Sequence, residues 1–166
     1  MITIRDYTEA DSDEVGQLIA DTYCEFNLAF ASPEERSLML GPFRYAGSSD
    51  EAHRRCIAEI LQSPVFYVVE NENEIVGILR GRRERLASLF VRKDHHHRGI
   101  GRKLVEAFEA EMRSQKVAVI RVAATLYAVQ FYLKLGYHKS TGIRKSWSFD
   151  GYGLPYQPMK KQLNIS

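Results

Sequence analysis

The stretch of this sequence best suited to chemistry is a glycine turn between an apolar run and an amphipathic one. Leu86 to Val91 has the composition of a strand, Gly99 and Gly101 follow in a polar turn, and a helical pattern continues to Met112. Glycines let backbone N–H groups approach a guest closely, and a helix N-terminus leaves several of them unpaired at the positive end of its dipole. Such a turn is suited to bind a phosphate group.

Basic side chains flank this turn. Arg98, Arg102 and Lys103 place cations where phosphate oxygens would lie, as fork or point-charge partners. Two common phosphate motifs are missing, because the P-loop needs Gly-x-x-x-x-Gly-Lys-Ser/Thr and the dinucleotide fingerprint needs a third glycine where Leu104 stands. The turn therefore predicts a phosphate site of another kind.

Two other clusters could do chemistry. His95 to His97 suggests a metal, but adjacent side chains rarely converge on one ion and no Cys or carboxylate group has suitable spacing, so we expect no metal. A group of arginines lies just before the apolar run: Arg80, Arg82, Arg83 and Arg85. Such a group can recognise an acidic acceptor or RNA, or it can form a solvated hairpin turn whose charges discourage strand addition, and we favour the solvated turn.

The elements that must position these residues follow from hydrophobic periodicity. Strands are predicted at 2–5, Val65 to Glu70, Ile75 to Arg82, Leu86 to Val91, Val117 to Val122, Tyr137 to Ile143 and Tyr156 to Leu163. Helices are predicted to begin at Asp11, with Glu14 completing a capping box, at Ser32, at Ser49, after Gly101, and over Ala128 to Leu135. The stretch Asp150 to Pro155 would join the last two strands. This order predicts a mixed sheet with helices on its faces.

Composition excludes several classes of protein. The 166 residues with 45% hydrophobic content fit one domain over 1–166, and 23 basic against 21 acidic residues give no general attraction to nucleic acid or to a membrane. Cys24 and Cys56 are expected to be buried free thiols, which favours a reducing compartment. No run approaches the ~20 apolar residues of a membrane span and no signal peptide is recognisable, so we expect a cytoplasmic protein.

Two motifs point to a family. The run Leu89-Phe90-Val91, followed by His96-His97-Arg98-Gly99-Ile100-Gly101, resembles the acetyl-CoA motif of the GNAT superfamily of N-acetyltransferases, written Gln/Arg-x-x-Gly-x-Gly/Ala. The later stretch Thr125 to Tyr137, TLYAVQFYLKLGY, is similar to the second motif of that family, in which Asn-x-x-Ala precedes Phe-Tyr and a closing Gly-Phe or Gly-Tyr. The resemblance implies an α+β fold in three layers, with a mostly antiparallel central sheet of about six or seven strands and helices on both faces.

The same resemblance implies acetyl-CoA as co-substrate and assigns its contacts. Backbone groups of Leu89 to Val91 would pair with the pantetheine arm like another strand, and the glycine turn would hold the pyrophosphate. The implied cofactor-binding residues are Leu89, Phe90, Val91, His96, His97, Arg98, Gly99, Ile100, Gly101, Arg102 and Thr125. The chain departs from the family pattern at three of its positions, with His96 in place of Gln or Arg, Lys93 in place of Pro, and Thr125 in place of Asn.

By the resemblance, Tyr132 is the catalytic residue, placed near the sulfur to protonate the departing thiolate; packing on a helix face is its alternative role. The general base is left open. Ala87 and Ser88 stand where many relatives have a carboxylate, and Glu84 is expected in the preceding turn. The remaining candidates are Glu25, His53 and a chain of waters.

Three function classes follow. The first is an N-acetyltransferase that moves the acetyl group directly to a small-molecule or peptide amine, since neither cysteine lies near the motifs. The second is a coenzyme A or acyl-CoA binding module without catalysis, and the third is a nucleic-acid-binding domain that uses the arginines. We favour the first, with no nucleic-acid or membrane partner. The acceptor and the oligomeric state are open, with a homodimer through the last strands as one arrangement.

Overall fold

An eight-stranded mixed sheet runs through the part of the chain that the computed structural model describes, residues 1–147 and 153–165. The strands are β1 (Ile2–Asp6), β2 (Val65–Asn71), β3 (Glu74–Arg82), β4 (Arg85–Val91), β5 (Val119–Thr125), β6 (His138–Lys139), β7 (Arg144–Trp147) and β8 (Gly153–Gln162). The helices are α1 (Ser12–Thr22), α2 (Pro33–Leu40), α3 (Glu51–Ile60), α4 (Ile100–Ser114) and α5 (Val129–Lys134). A π-helical turn, Tyr23–Asn27, extends α1.

The strands lie in the order β1-β2-β3-β4-β5-β8-β6, and β7 pairs with β8. Every pair is antiparallel except β4 with β5, which is parallel. This confirms the predicted α+β fold with a mixed, mostly antiparallel sheet.

The helices cover both faces of the sheet because strand side chains alternate between them. On β3, Leu79 belongs to the core cluster that includes Leu104 and Phe108 of α4. Its neighbour Ile78 belongs to the other cluster, together with residues of α1, α2 and α3 such as Val15. No helix in residues 1–147 and 153–165 is long and apolar enough to cross a membrane.

The predicted capping box at Asp11 and Glu14 is wrong. The structure has the box one turn earlier, between Thr8 and Asp11. The Asp11 carboxylate accepts two hydrogen bonds of 2.8 Å from Arg5, and Glu14 accepts one of 2.6 Å from the backbone N–H of Ile75. Both carboxylates accept hydrogen bonds from residues of β-strands, so neither side chain caps α1.

The cysteines and the last strands also differ from expectation. Both cysteines are free, but Cys24 is half-buried and Cys56 is exposed, so burial of both thiols was wrong. Of the predicted strand Tyr137 to Ile143, only β6 is extended, and β7 begins after its end. Of the predicted connection Asp150 to Pro155, residues 150–152 lie outside the described residues. The remaining residues, 153–155, belong to β8.

Candidate active site

A cleft opens where β4 and β5 diverge. The two parallel strands pair only at Arg85 with Arg121 and at Leu86 with Val122. On its other edge β4 stays paired with β3, through a β-bulge that leaves Ala87 without a partner residue. Beyond this bulge β4 continues without pairing to β5, which leaves its edge without a partner strand among the described residues and so available to a ligand.

The backbone of this edge can be assigned from the ladder. The N–H of Arg92 donates to the Val76 carbonyl of β3 at 2.9 Å. Because backbone groups alternate between the two edges of a strand, Leu89 and Val91 direct theirs towards the cleft. These are two of the three residues that the resemblance pairs with pantetheine.

His96 is held against this edge. Its Nε2 lies 2.6 Å from the carbonyl oxygen of Val91, and a carbonyl can only accept, so Nε2 carries the proton. The imidazole also stacks on Phe26 with ring centroids 4.8 Å apart, and Phe26 contacts Tyr127 at 5.2 Å. This aromatic group joins the turn after α1, the β4–α4 loop and the turn after β5, and periodicity gave no signal for it.

The turn after β4 has the left-handed backbone that glycine favours. Gly99 is the N-cap of α4 with φ 78° and ψ 5°, and an added Cβ there would meet no atom within 4 Å. The N–H of Lys103 donates to the Gly99 carbonyl at 3.0 Å, so the N–H groups ahead of it in the first turn have no carbonyl partner within the helix. They provide the donors that the sequence predicted for a phosphate.

Gly101 has a packing role that its motif alone did not reveal. A Cβ at this position would lie 3.2 Å from two ring carbons of Phe131, so the missing side chain lets α4 approach α5 closely. The neighbouring Ile100 is buried, and its side chain would be 3.3 Å from a Cβ added at Gly77. Glycine therefore allows α4 to pack closely against both α5 and β3.

The cations around the turn face solvent. Arg98, Arg102 and Lys103 are exposed, and within residues 1–147 and 153–165 none of them forms an ion pair with a carboxylate. Lys93, at the end of β4, is different because it pairs with Glu25 from the turn after α1. The positive charge beside the α4 N-terminus is therefore available to an anion.

Tyr132 lies deep in the core, only 4% exposed. Its ring meets Phe131 edge-on at 5.1 Å and Tyr137 at 5.5 Å. Burial raises the pKa of Tyr132 well above the ordinary phenol value. Its hydroxyl has no hydrogen-bond partner among the described residues, so the geometry leaves it available as a donor.

Thr125 ends β5 on the opposite side of the cleft. Its backbone pairs with Tyr156 of β8, and it is the N-cap of a short helical turn, Leu126–Ala128. Its side chain makes no capping hydrogen bond. The structure therefore places Thr125 at the end of the strand, as the motif required, with its hydroxyl free of that role.

The candidate bases are distributed over several elements. Glu84 lies in the exposed β3–β4 turn, as expected, with φ 67°. His53 stacks on Tyr45 at 3.8 Å, and its Nδ1 lies 2.9 Å from the Ser48 hydroxyl. Glu25 is engaged by Lys93, as described above. None of these groups is singled out as a base by its contacts.

The three consecutive histidines point in different directions. His95 is buried, with Nδ1 2.8 Å from Asp94 and Nε2 3.3 Å from Asn71. His96 contacts Val91, and His97 is exposed. No group of three or more His, Cys, Asp or Glu in the described part of the chain could hold a metal ion.

A cavity of about 420 Å³ lies between α1 and the α2 region. Its charged lining includes Asp21, Glu25, Arg36 and Arg44. The segment from α2 to residue 46 therefore contributes to a cavity. Because both signs of charge are present, the lining alone selects no class of acceptor.

The sequence matches the family model described as acetyltransferase (GNAT) domain over residues 41–163, well over half of its length. The chain belongs to the GNAT acetyltransferase family. No curated protein matches the sequence significantly.

Solved structures share the fold over nearly their whole length. A GCN5-related N-acetyltransferase from Rhodopseudomonas palustris superposes with a TM-score of 0.78 at 18% identity, covering 97% of this chain and 95% of the other. The PaiA N-acetyltransferase from Thermoplasma acidophilum, solved with coenzyme A, gives 0.70 at 16% identity, covering 98% and 99%. An aminoglycoside 6'-acetyltransferase type Ii gives 0.64 at 20% identity, covering 99% of each chain. At these identities the likeness establishes the fold.

Proposed function

We propose that this protein is an N-acetyltransferase that moves an acetyl group from acetyl-CoA directly to an amine. The observation that carries the proposal is the divergence of β4 from β5 beside the Gly99 turn. An open strand edge, unpaired helix N–H groups and unpaired cations meet there, and they suit an extended amide arm that ends in a pyrophosphate. Family membership supports the same co-substrate. We further propose that residues 1–166 form one domain of this type.

Leu89 and Val91 would hold the pantetheine arm through their backbone, and the turn from His97 to Gly101 would hold the pyrophosphate. When bound, the co-substrate supplies a thioester whose acetyl carbon forms a C–N bond with the amine as its C–S bond breaks, the amine losing one proton and the thiol gaining one. In this proposal the ligand replaces the His96 imidazole at the Val91 carbonyl. His96 then becomes available to the phosphates.

Tyr132 would donate a hydrogen bond to the departing sulfur. A phenol of pKa ~10 gives its proton to a thiolate whose thiol has pKa ~8.5 at a cost of roughly 2 kcal/mol in water. Burial raises the pKa of Tyr132 and so increases this cost, which favours a hydrogen bond to the sulfur or a concerted transfer over release of the proton in advance. The acceptor amine, of pKa ~10.4, is only about one part in a thousand neutral near pH 7.4 and must lose a proton to reach the reactive form.

Thiol release from acetyl-CoA with a panel of amines tests the proposal. Tyr132→Phe is expected to lower kcat by about 100-fold or more, the range of general acid catalysis. Tyr137→Phe is the matched control, because Tyr137 is also buried and its ring packs against that of Tyr132. We expect this control to keep its activity. Equal kcat values for Tyr132→Phe and the wild type would remove Tyr132 from the mechanism.

A binding module without catalysis is the second candidate. It is favoured by Ser88, which accepts a hydrogen bond from Arg80 at a position where many relatives have a carboxylate base. Tight binding of acetyl-CoA with no thiol release for any amine in the panel would establish this alternative and refute the enzyme.

A further inference from the structure

Arg80 differs from the other arginines near the β3–β4 hairpin. Arg82, Arg83 and Arg85 are exposed, as expected for a solvated turn, whereas Arg80 is half-buried. Alternation along β3 places it on the same face as Ile78, which is covered by α1 and α3. The charge at Arg80 therefore lies within the fold.

The partners of Arg80 are all neutral. Its Nε donates to the Ser88 hydroxyl at 3.1 Å, and its Nη1 donates to the carbonyl of Ile60 at 2.8 Å. Within residues 1–147 and 153–165 no carboxylate forms an ion pair with it, and burial lowers the pKa of its guanidinium. Arginines whose charge lies within a fold are normally paired with an acid.

The end of α3 compensates only part of this charge. Ile60 is the last residue of α3, and a helix C-terminus carries a partial negative charge of roughly half an electron. A guanidinium has five N–H donors in a planar fork, and the two hydrogen bonds to Ser88 and Ile60 leave the others for a bidentate acceptor.

Arg80 is also close to the reacting end of the proposed cleft. It is opposite Ser88 in the β3–β4 ladder, and Ser88 directly precedes Leu89. In the proposed function the pyrophosphate lies at Gly99 and the pantetheine arm runs back along β4 towards Leu89. The thioester then lies near Ser88, the residue to which Arg80 is hydrogen-bonded.

We propose that Arg80 binds a carboxylate of the acceptor, so that the acceptor is an amine that also carries a carboxylate, either a free amino acid or a peptide with a free N-terminus and an acidic side chain. This inference rests on the proposed function and adds the substrate class to it. A planar carboxylate matches the open fork of the guanidinium and supplies the negative charge that the described surroundings lack. Polyamines and aminoglycosides, which carry no carboxylate, are poor acceptors in this account.

Matched pairs of amines test the inference. Each amino acid is compared with the amine formed by removing its carboxylate, for example tyrosine with tyramine, lysine with cadaverine and histidine with histamine. For the wild type we expect kcat/KM of the best amino acid to exceed that of its partner amine by about 10- to 100-fold. Arg80→Gln should bring the ratio of the two kcat/KM values, amino acid to partner amine, down to about one. Arg83→Gln, an exposed control, should keep the preference.

Peptide and free amino-acid acceptors are separated by a third compound, the amide of the best amino acid. A peptide with a free N-terminus and an acidic side chain tests the other source of the carboxylate. Equal kcat/KM values for both members of every pair, or an unchanged preference in Arg80→Gln, would overturn the inference and leave Arg80 as a cap of α3. Both results would leave the acetyltransferase itself standing.

Two further measurements cover the remaining outcomes. If Arg80→Gln does not fold, Arg80→Lys keeps the charge but loses the fork, and we expect it to reduce the preference about tenfold. If no compound is acetylated, the proposed function fails, and calorimetric binding of the amino acids to the coenzyme A complex then decides the inference. Binding that is lost in Arg80→Lys supports a carboxylate site, and the absence of binding to the wild type overturns it.

Discussion

Replacing Gly99 with alanine tests the turn that opens α4. Gly99 has φ 78° and ψ 5°, and a left-handed backbone costs a residue with a Cβ roughly 1–2 kcal/mol. The added Cβ would meet no atom within 4 Å, so this strain acts alone. Alanine also restricts the unfolded chain, which offsets about 0.4–1 kcal/mol. We therefore expect the free energy of unfolding to fall by about 1 kcal/mol.

Gly142→Ala is the matched control. A Cβ at Gly142 would also meet no atom within 4 Å, and its φ is not positive. The same change there should leave the free energy of unfolding unchanged or raise it by up to about 1 kcal/mol. The difference between the two variants isolates the backbone strain, which we expect to be about 1–2 kcal/mol.

Urea unfolding followed by circular dichroism measures this difference. Gly99→Asn should lie between the alanine variant and the wild type, because asparagine tolerates the left-handed region better. Calorimetric titration with coenzyme A provides the functional arm, in which Gly99→Ala should bind more weakly and Gly142→Ala should not. Identical unfolding midpoints and affinities for the two alanine variants would refute the reasoning.

Three other changes test the stability of the fold. A hydrogen bond from Arg5 holds the pKa of Asp11 below its usual range, so this carboxylate stabilises the fold above about pH 4 and loses that contribution as pH falls through its lower folded-state pKa. Asp11→Asn should therefore flatten the acid limb of a plot of unfolding free energy against pH. An unchanged slope would contradict this. Gly81→Ala puts a Cβ 2.6 Å from the Arg85 carbonyl oxygen and should cost about 1–3 kcal/mol or more, seen as a lower melting temperature; an unchanged temperature would mean that the backbone can relax. Glu109→Gln weakens the hydrogen bonds that this buried carboxylate accepts from two basic side chains, so the free energy of unfolding in urea should fall by about 1–3 kcal/mol. An unchanged free energy of unfolding would contradict this.

Much of the fold was predictable from local pattern. The β-branched and alternating runs predicted most strands of the sheet. Ser32 and Pro33 predicted the start of α2, and the capping box between Ser32 and Glu35 is present. The glycine turn before α4 was predictable because glycine is the residue that most readily adopts the left-handed backbone found at Gly99. These features depend on residues near one another in sequence, which periodicity and turn chemistry describe.

Features that depend on distant residues were missed. Asp11 looked like a cap for α1, but Arg5 on the adjacent strand binds its carboxylate. Cys56 has the spacing of a core residue, yet α3 buries only Ile57 completely. The bulge at Ala87 was not predicted, because it depends on how β3 and β4 pair and not on the pattern of either strand alone.

The candidate site divides in the same way. The glycine motif identified the turn that we propose as the phosphate site, but the contact between Gly101 and Phe131 needed the tertiary structure. The arginine-rich segment was correctly expected to be mostly solvated, while its first member, Arg80, lies within the fold because it is the one bonded to Ser88 and to the end of α3.

Residue-resolved NMR during titration with coenzyme A tests the central claim most directly. The claim is that the edge of β4 and the first turn of α4 bind this molecule through backbone groups. The amide signals of Leu89, Val91 and Gly101 should shift most and become protected from hydrogen exchange, while Val69 in the paired β2 should not change. Saturable binding that leaves Leu89 and Val91 unshifted, or no binding at millimolar coenzyme A, would contradict the account.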